Sequence, residues 1–423
     1  MLTQAPKGTQ DVLPQDSYRW QQIEEIMRKT CAMAGYREVR TPVFEHTELF
    51  ARGVGDTTDV VQKEMYTFLD KGGRSITLKP EGTAGAVRAF IEAHLYAEPL
   101  PIKMCYISCP VFRYEKPQSG RLREHHQLGV EVFGAKDASV DAEIIRLALD
   151  VQTACGIEGL RVAINSIGCP NCRGKYHEIL KEYLRPKLGE LCKTCNERFE
   201  RNPLRVLDCK ECADKVKDAP SMLDTLCDEC KAHFESLQRN LTALGIEYQI
   251  DSRIVRGLDY YTKTVFEIIT DAPGGGELTV CGGGRYDGLV EQLGGPSLPG
   301  VGFGMGVERI LMVQDMRGVT PVAPRLYDAF VCTLGDEARI EGMKLVRELR
   351  QGGIKADLDH AARSLKAQFK YANKTGAPYV VVLAGDELEK GVAKLRDMNG
   401  ATEQEIPREN LLHVLKQALA EKS

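Results

Sequence analysis

No apolar run in this 423-residue chain approaches the ~18 residues needed to cross a bilayer. The opening segment Met1-Leu2-Thr3-Gln4-Ala5-Pro6-Lys7 also lacks the apolar core of a secretion signal. The expectation is a soluble, cytoplasmic protein with no membrane partner. A basic excess is missing too. The formal net charge is −4, so any grip on nucleic acid has to be local. Internal repeats and low-complexity tracts are absent. No G-x-x-x-x-G-K-S/T phosphate loop occurs, and neither glycine-rich segment fits the dinucleotide pattern G-x-G-x-x-G. What remains is an ordinary globular balance, 43% hydrophobic and 27% charged, at a length that suits roughly two to four domains.

Cysteine, by contrast, is plentiful. Eight of the fourteen cysteines form four Cys-x-x-Cys pairs: Cys169/Cys172, Cys192/Cys195, Cys209/Cys212 and Cys227/Cys230. One such pair means little. Four in one segment of a long chain read as metal knuckles, and eight thiolates suit two tetrahedral zinc ions. A nested pairing is expected: the two central pairs close a short loop, and the outer pairs meet where the segment begins and ends. The competing reading is reduced cysteines without metal. A thioredoxin-like redox role fits poorly, because four pairs exceed what that chemistry uses. Residues 168–245 are rich in Lys, Arg and Glu and read as helices, such as Lys175 to Leu188 and Cys230 to Leu244. Strand-like segments flank them, Leu160 to Ile167 and Glu247 to Val255. A charged helical insertion in a sheet-based domain is therefore expected, its cations serving RNA or, more commonly, a solvated surface.

The stretch richest in chemistry is Phe112-Arg113-Tyr114-Glu115, a polar loop, and Gln127-Leu128-Gly129-Val130-Glu131-Val132-Phe133. It reads as two strands joined by a loop carrying Arg121, Arg123, Glu124, His125 and His126. Residues two apart share a strand face. Arg113 and Glu115 would point one way, and Gln127, Gly129 and Glu131 would share a face with an open space at the glycine. A surface hairpin with a solvated face is the bland alternative. The alternating apolar residues and the clustered cations favour a pocket floor instead. Further on, Cys281-Gly282-Gly283-Gly284-Arg285-Tyr286-Asp287-Gly288 precedes Gly300-Val301-Gly302-Phe303-Gly304-Met305-Gly306-Val307-Glu308-Arg309. Glycine at alternate positions bares one strand face for a flat ligand such as adenine, or else for close helix packing. Arg309 falls where a helix should begin.

After the linker-like Arg317-Gly318-Val319-Thr320-Pro321-Val322-Ala323-Pro324, strands alternate with helices. They are Tyr327 to Leu334, the Glu337–Gln351 helix, Lys355 to Leu358, a helix around Ser364–Thr375, and Pro378 to Gly385. That alternation implies βαβ units and a separate α/β domain with a mostly parallel sheet.

Gly302 to Arg309 resembles motif 3 of class II aminoacyl-tRNA synthetases, and Phe112-Arg113-x-Glu115 resembles their motif 2. Gly35-Tyr36-Arg37-Glu38-Val39-Arg40-Thr41-Pro42, read as a helix running into a strand, is similar to motif 1, the dimer-forming element. Within that class, Arg256-Gly257-Leu258-Asp259-Tyr260-Tyr261-Thr262 and Gly283-Gly284-Arg285-Tyr286-Asp287 resemble signatures of the histidyl-tRNA synthetase family. Lys7 to Asp11 and Lys79-Pro80-Glu81-Gly82-Thr83 do as well. Lys263 departs from the small residue or arginine expected after Thr262. The cysteine-rich insertion is not universal in the family.

The resemblance covers essentially the whole chain. It implies a class II catalytic domain over 1–325, α+β on a mostly antiparallel sheet, with the insertion at 168–245 and an anticodon-binding domain at 326–423. It implies activation of L-histidine with ATP and Mg²⁺ to histidyl-adenylate, then transfer to the terminal adenosine of tRNA(His), by a homodimer. Arg113 would hold the α-phosphate and the histidine carboxylate, with Arg256 facing that phosphate from the other side and Arg309 on the γ-phosphate. Glu115, Arg121, His125, Gly304 and Gly306 complete the ATP site, and Glu308 could support the magnesium. Glu81, Gly82, Thr83 and Gln127 would bind the α-amino end of histidine. Glu131 and Tyr261 would read the imidazole, with Tyr260 lining the wall. Arg363, Lys366, Lys370 and Lys374 would offer an RNA face. The alternatives are a histidine-binding regulatory subunit of a phosphoribosyltransferase, or a synthetase for proline, threonine or glycine. The Arg256–Thr262 signature and the C-terminal domain weigh against both.

Overall fold

The computed structural model describes residues 3–55, 58–117, 120, 122–209, 211–272, 274–400 and 402–421. The chain divides into two units, Met1–Pro321 and Val322–Ser423. In the first unit the strands are β1 (Arg37–Glu38), β2 (Phe44–His46), β3 (Tyr66–Leu69), β4 (Ser75–Leu78), β5 (Ile102–Phe112), β6 (Glu124–Phe133), β7 (Arg161–Ser166), β8 (Tyr248–Ile250), β9 (Thr262–Asp271), β10 (Glu277–Arg285) and β11 (Gly300–Gly306). Eight of them form one sheet in the order β1-β5-β6-β11-β10-β9-β7-β8. Its pairs are antiparallel except at the two margins, β1 with β5 and β7 with β8. A small sheet of β2, β4 and β3 stands beside it.

The two faces of the large sheet carry different residues because side chains alternate along a strand. Leu128, Val130 and Val132 of β6 join Val301, Phe303 and Met305 of β11 on the rear face, in the main core. Helix Ala138–Ala154 covers them; its N-cap Asp137 accepts the Ser139 N–H at 2.8 Å. Helix Ser17–Met33 adds Trp20, Ile23, Met27 and Cys31, spaced three or four apart as one helical stripe requires. The front face holds Gln127, Gly129 and Glu131 and leads to helix Thr83–Glu92.

The insertion is helical, but its helices run Pro170–Leu184, Lys193–Arg201 and Asp228–Ala243 rather than from Lys175 and Cys230. Pro170 starts the first because proline at the first helical position loses no hydrogen bond. Tyr176, Leu180, Leu184, Phe199 and Leu204 form its own small core. The strand expected from Glu247 to Val255 is only β8, and residues 251–261 are loop and turn. The segment resembling motif 1 is likewise shorter in strand than its sequence suggests, with only Arg37–Glu38 paired.

The second unit holds β12 (Ala329–Thr333), β13 (Ala356–Leu358), β14 (Tyr379–Leu383), β15 (Val392–Asp397) and β16 (Glu403–Pro407), in the order β13-β12-β14-β15-β16. The three strands read from the sequence pair in parallel. A hairpin that the sequence pattern did not disclose, β15 and β16, extends the sheet antiparallel. Among the described residues no helix is long and apolar enough to cross a membrane.

Candidate active site

Strand register builds the site. Tyr106, Gly129, Gly304, Gly282 and Glu267 stand opposite one another across β5, β6, β11, β10 and β9. Two residues along, the row is Met104, Glu131, Gly302, Gly284 and Val265. Directly opposed residues share a face, so four glycines on two neighbouring strands leave the sheet bare between a carboxylate on one side and Glu267 on the other. The floor is only partly open. A Cβ at Gly302 would collide with Glu131, one at Gly300 with the Tyr286 ring, and one at Gly282 with the Arg256 guanidinium. At Gly304 the nearest atom is 3.6 Å away, on Gln127, and at Gly306 it is 3.8 Å away, on Arg309. The bare floor is therefore Gly304 and Gly306, with protein side chains over the rest. The space expected at Gly129 is not open. Tyr106 fills it, because the antiparallel register sets that ring against the glycine.

Tyr106 and Tyr286 were missed as site residues, and they define the deep end. Glu131 is 1% exposed. Its Oε1 accepts from the Tyr106 hydroxyl at 3.1 Å, and its Oε2 accepts from the Tyr286 hydroxyl. Burial, with Glu81 adding repulsion, pushes its carboxyl up to about 8 against these donors. Tyr260 lies 4.7 Å from Tyr261 and edge-on to Tyr286 at 5.6 Å, so three rings form one wall. Tyr261 feels both Arg256, to which it is hydrogen-bonded, and Glu131. Burial of Arg256 opposes its charge, but the Tyr261 hydroxyl and Glu267 carboxylate outweigh that and hold the guanidinium ionised. Its Nε is buried without a partner.

The polar end is built on loops and helix starts. Glu81 caps helix Thr83–Glu92, its two oxygens taking the Thr83 and Ala84 N–H groups at 2.7 Å each. Gln127 Oε1 accepts the Gly82 N–H at 3.2 Å, which ties that helix start to β6. Arg113 and Glu115 do not alternate along a strand as expected. β5 stops at Phe112, where Arg113 N–H donates to the Arg123 carbonyl (2.8 Å) and Glu115 N–H to that of Arg113 (2.8 Å), and the chain turns. The Arg113 guanidinium is fixed instead by its Nε bond to the Pro80 carbonyl, 2.8 Å. β6 in turn begins at Glu124, so His125 and His126 belong to the strand and not the loop. Burial, with Arg113 and Arg309 nearby, drives the His125 imidazole down to about 3, leaving it neutral. Glu308 is not an uncommitted magnesium ligand. Its carboxylate takes the His126 N–H at 3.0 Å and Nδ1 at 2.9 Å. Arg309, in the first turn of helix Val307–Arg317, donates to the Gly120 and Thr279 carbonyls. Arg121 lies outside the described residues. Lys263, with φ of 49°, reaches Glu229 of the insertion at 2.9 Å and Asp287 at 3.5 Å.

The eight cysteines gather as two sets of four, Cys169/Cys172/Cys227/Cys230 and Cys192/Cys195/Cys209/Cys212, with the sulfurs of each set within 4.8 Å. This is the nested arrangement. Two of the S···S separations, 3.6 Å for Cys169–Cys172 and 3.8 Å for Cys192–Cys209, match the ~3.8 Å edge of a tetrahedron with Zn–S of about 2.3 Å. Cys169, Cys192 and Cys227 are the N-caps of three helices, where the helix dipole favours a thiolate. Backbone N–H groups of Cys227 and Cys192 point at Cys172 and Cys212 sulfurs, 3.1 and 3.3 Å away. The donor set fits zinc.

The sequence profile of the family described as histidyl-tRNA synthetase matches residues 8–310, and that of an anticodon-binding domain matches 328–418. The chain belongs to the histidyl-tRNA synthetase family. Members of that family are aminoacyl-tRNA ligases that activate histidine with ATP and charge tRNA with it, and that is this chain's reaction. The chain is 57% identical over 408 residues to the histidine–tRNA ligase of Caldanaerobacter subterraneus subsp. tengcongensis, covering 96% of this chain and 97% of that one. It is 56% identical to that of Alkaliphilus oremlandii over 96% of each. Among solved structures, apo histidyl-tRNA synthetase of S. aureus superposes with a TM-score of 0.83 at 39% identity, covering 98% of this chain and 99% of that one. A Bacillus halodurans chain described as an ATP phosphoribosyltransferase regulatory subunit/histidyl-tRNA synthetase has a TM-score of 0.63 at 21% identity, over 91% of this chain and 99% of its own. That likeness shows the fold alone.

Proposed function

We propose that histidine and ATP meet on the glycine floor, histidine toward Glu131 and ATP toward Arg309. The observation that carries this is the in-register row from Tyr106 to Glu267. A buried carboxylate in a tyrosine cage lies at one end of the bare floor, and arginines stand along its sides. Nucleotidyl transfer needs charge neutralisation and in-line positioning, not a protein nucleophile. Arginine suits it because the guanidinium stays protonated and grips phosphate oxygens bidentately.

In this reading Arg113 holds the α-phosphate together with the histidine carboxylate, and Arg256 faces the same phosphate from across the floor. Arg309 binds the γ-phosphate. Glu115 contacts the adenine amino group, the neutral His125 ring lies against adenine, and Gly304 and Gly306 give it bare backbone. Arg121 is expected to add a phosphate contact. Glu81, Gly82, Thr83 and Gln127 receive the α-amino end, and Glu131 takes an imidazole N–H. Tyr261, with Tyr260 beside it, faces the other ring nitrogen. A pocket that pairs both nitrogens rejects an isostere lacking them by a factor on the order of 10⁴. Magnesium accompanies ATP as its counter-ion, and each cysteine set holds one structural zinc ion.

We also read the enzyme as a cytoplasmic homodimer that charges tRNA(His). The dimer rests on the motif 1 resemblance and on Phe44, Phe68 and Leu69, which are exposed on the small sheet. The tRNA reading rests on the anticodon-binding match over 328–418, with Lys366, Lys370 and Lys374 as candidate contacts; Arg363 is held by Asp359 at 2.9 Å. The test is amino-acid-dependent ATP–pyrophosphate exchange with each standard amino acid. Exchange with histidine alone is the expected result. Tight histidine binding without exchange would point to a regulatory histidine-binding protein instead.

A further inference from the structure

Arg256 sits on a segment, residues 251–261, with no regular secondary structure, although its guanidinium has to be held over Gly282. Its supports come from elsewhere. Asn165 donates to the Ser252 and Ile254 carbonyls at 3.2 and 3.1 Å. Asp251 N–H donates to the Ile164 carbonyl at 3.0 Å and Asp259 N–H to that of Val54 at 3.1 Å, and further supports come from residues 198–205 of the insertion. Arg205 Nη1 donates to the Arg256 carbonyl at 3.0 Å, and Asn202 donates to the Asp259 carboxylate at 3.0 Å. Arg198 forms an ion pair with Asp59 and donates to the Arg205 carbonyl at 3.3 Å. All three lie between the two halves of one cysteine set, Cys192/Cys195 and Cys209/Cys212. A cleft of about 300 Å³, lined by Arg173, His177, Asn202, Arg205, Arg256 and Asp259 among others, runs along this seam, and Arg173 also donates across it to the Asp259 carbonyl at 3.4 Å. The link is thus made by a few polar side chains.

We infer that the segment between Cys195 and Cys209 is a positioning device for Arg256, acting through Arg205, and that metal in the Cys192/Cys195/Cys209/Cys212 set controls the rate of adenylate formation. This rests on the zinc reading above for its metal half only. Residues 196–208 contain the end of one helix and the four-residue helix Leu204–Leu207, so apart from Phe199, Leu204 and Val206 in the small core little regular structure fixes their register. Four thiolates on one ion fix both ends of that stretch at once. Arg205 is 8% exposed, so its bond to the carbonyl of the half-buried Arg256 is partly sheltered from water, and losing it leaves that carbonyl without this donor. A displacement of about 1 Å in a group facing the reacting phosphate costs up to ~10²-fold in rate.

Arg205 touches no substrate in this scheme; it acts through Arg256. The experiment compares the full chain with Arg205→Ala and Arg205→Lys, each as purified and after metal stripping, with zinc counted by a chromophoric chelator and folding followed by circular dichroism. Arg205→Ala is expected to keep its zinc and to hold KM for histidine and ATP within about threefold, while kcat for pyrophosphate exchange falls ~10–100-fold. Arg205→Lys, which can still donate one hydrogen bond, is expected to recover part of that. Stripping should lower kcat of the parent by a similar factor but that of Arg205→Ala by little, because the link is already cut. Near-normal kcat in Arg205→Ala overturns the inference, as does stripping that costs both proteins equally. A purified parent with full activity and no bound metal overturns the zinc reading and the metal half. Loss of kcat in Arg205→Ala would then uphold the Arg205 half.

Discussion

Replacing Glu131 by glutamine tests what the deep end of the pocket does. The change is nearly isosteric, and the amide can keep both tyrosines satisfied. Its oxygen accepts from one hydroxyl and its NH₂ donates to the other, since a phenol both donates and accepts. The fold should therefore survive. What is lost is a charged acceptor for an imidazole N–H. Hydrogen bonds to charged groups are worth roughly 1.5–3 kcal/mol and neutral ones about 0.5–1.5. The difference of about 1–1.5 kcal/mol corresponds to roughly tenfold weaker histidine binding. ATP meets other residues, so its affinity should move by less than about twofold. The size of the gap should depend on pH. The Glu131 carboxyl titrates near 8 in the empty pocket, so above that pH the parent presents a carboxylate. At pH 7 it presents mainly a neutral acid, which resembles the amide. Calorimetric titration of histidine into both proteins at pH 9 and pH 7 should thus show a tenfold gap that narrows at the lower pH. Equal losses for histidine and ATP, or a gap indifferent to pH, would refute the assignment.

Five further outcomes follow from the same geometry. Glu131 is an acid whose folded value is raised, so its contribution to stability is full below about 4.5 and is lost as pH rises toward about 8. Urea unfolding of the parent should therefore lose up to ~1.4 kcal/mol per pH unit relative to Glu131→Gln across that window, and parallel profiles would contradict it. Gly302→Ala should be destabilised and should bind histidine poorly, since its Cβ collides with Glu131 and the Val130 carbonyl. Gly304→Ala, with 3.6 Å of room, should melt normally yet bind ATP more weakly; a normal ATP KM would count against the adenine floor. Asp141→Asn should cost roughly 3–5 kcal/mol, because it strips the fully buried Arg285 of its 2.5 Å partner, readable as a lower urea midpoint. Metal analysis of the purified chain should find two zinc ions, and a count near zero would sink the Cys₄ sites.

What could be read from the sequence was what repeats at short range. The alternation of Gly300 to Gly306 and of Gln127 to Glu131 is a property of one strand, so the faces came out correctly. The cysteine pairing was legible because spacing alone limits which knuckles can close on each other. Pairing across strands was not legible. Tyr106 lies 23 residues before Gly129, and a bulge between Tyr106 and Cys109 shifts the register, so no local pattern announces that its ring fills the glycine gap. Tyr286 stood inside a quoted signature, yet its role depends on β10 lying two strands from β6. The ends of β5 and β6 were misplaced for a related reason. Alternation continues through Arg113 and Glu115, but the Arg113 N–H bond to the Arg123 carbonyl and the Arg123 Nε bond to the Glu115 carbonyl decide where the strand stops.

The same limit explains why a carboxylate and not the glycines has to carry selectivity. Bare backbone accepts any flat ring, and the apolar walls contributed by Tyr260, Tyr261 and Tyr286 favour several amino acids equally. Only the group that cannot be satisfied by an apolar side chain discriminates, and a wrong ligand leaves it with the tyrosine hydroxyls alone. Glu131 already has a hydroxyl on each oxygen, which keeps it from penalising the empty pocket severely. Its raised titration near 8 marks the part of that penalty the tyrosines do not relieve. An imidazole that donates a hydrogen bond relieves more of it, and a side chain of the same size without a donor relieves none. On the proposed placement of histidine against Glu131, selectivity is then set by how far the tyrosines fall short. It follows that removing the Tyr286 hydroxyl, as in Tyr286→Phe, should raise the Glu131 titration further and weaken the folded state while leaving discrimination against isosteric side chains at least as sharp as before.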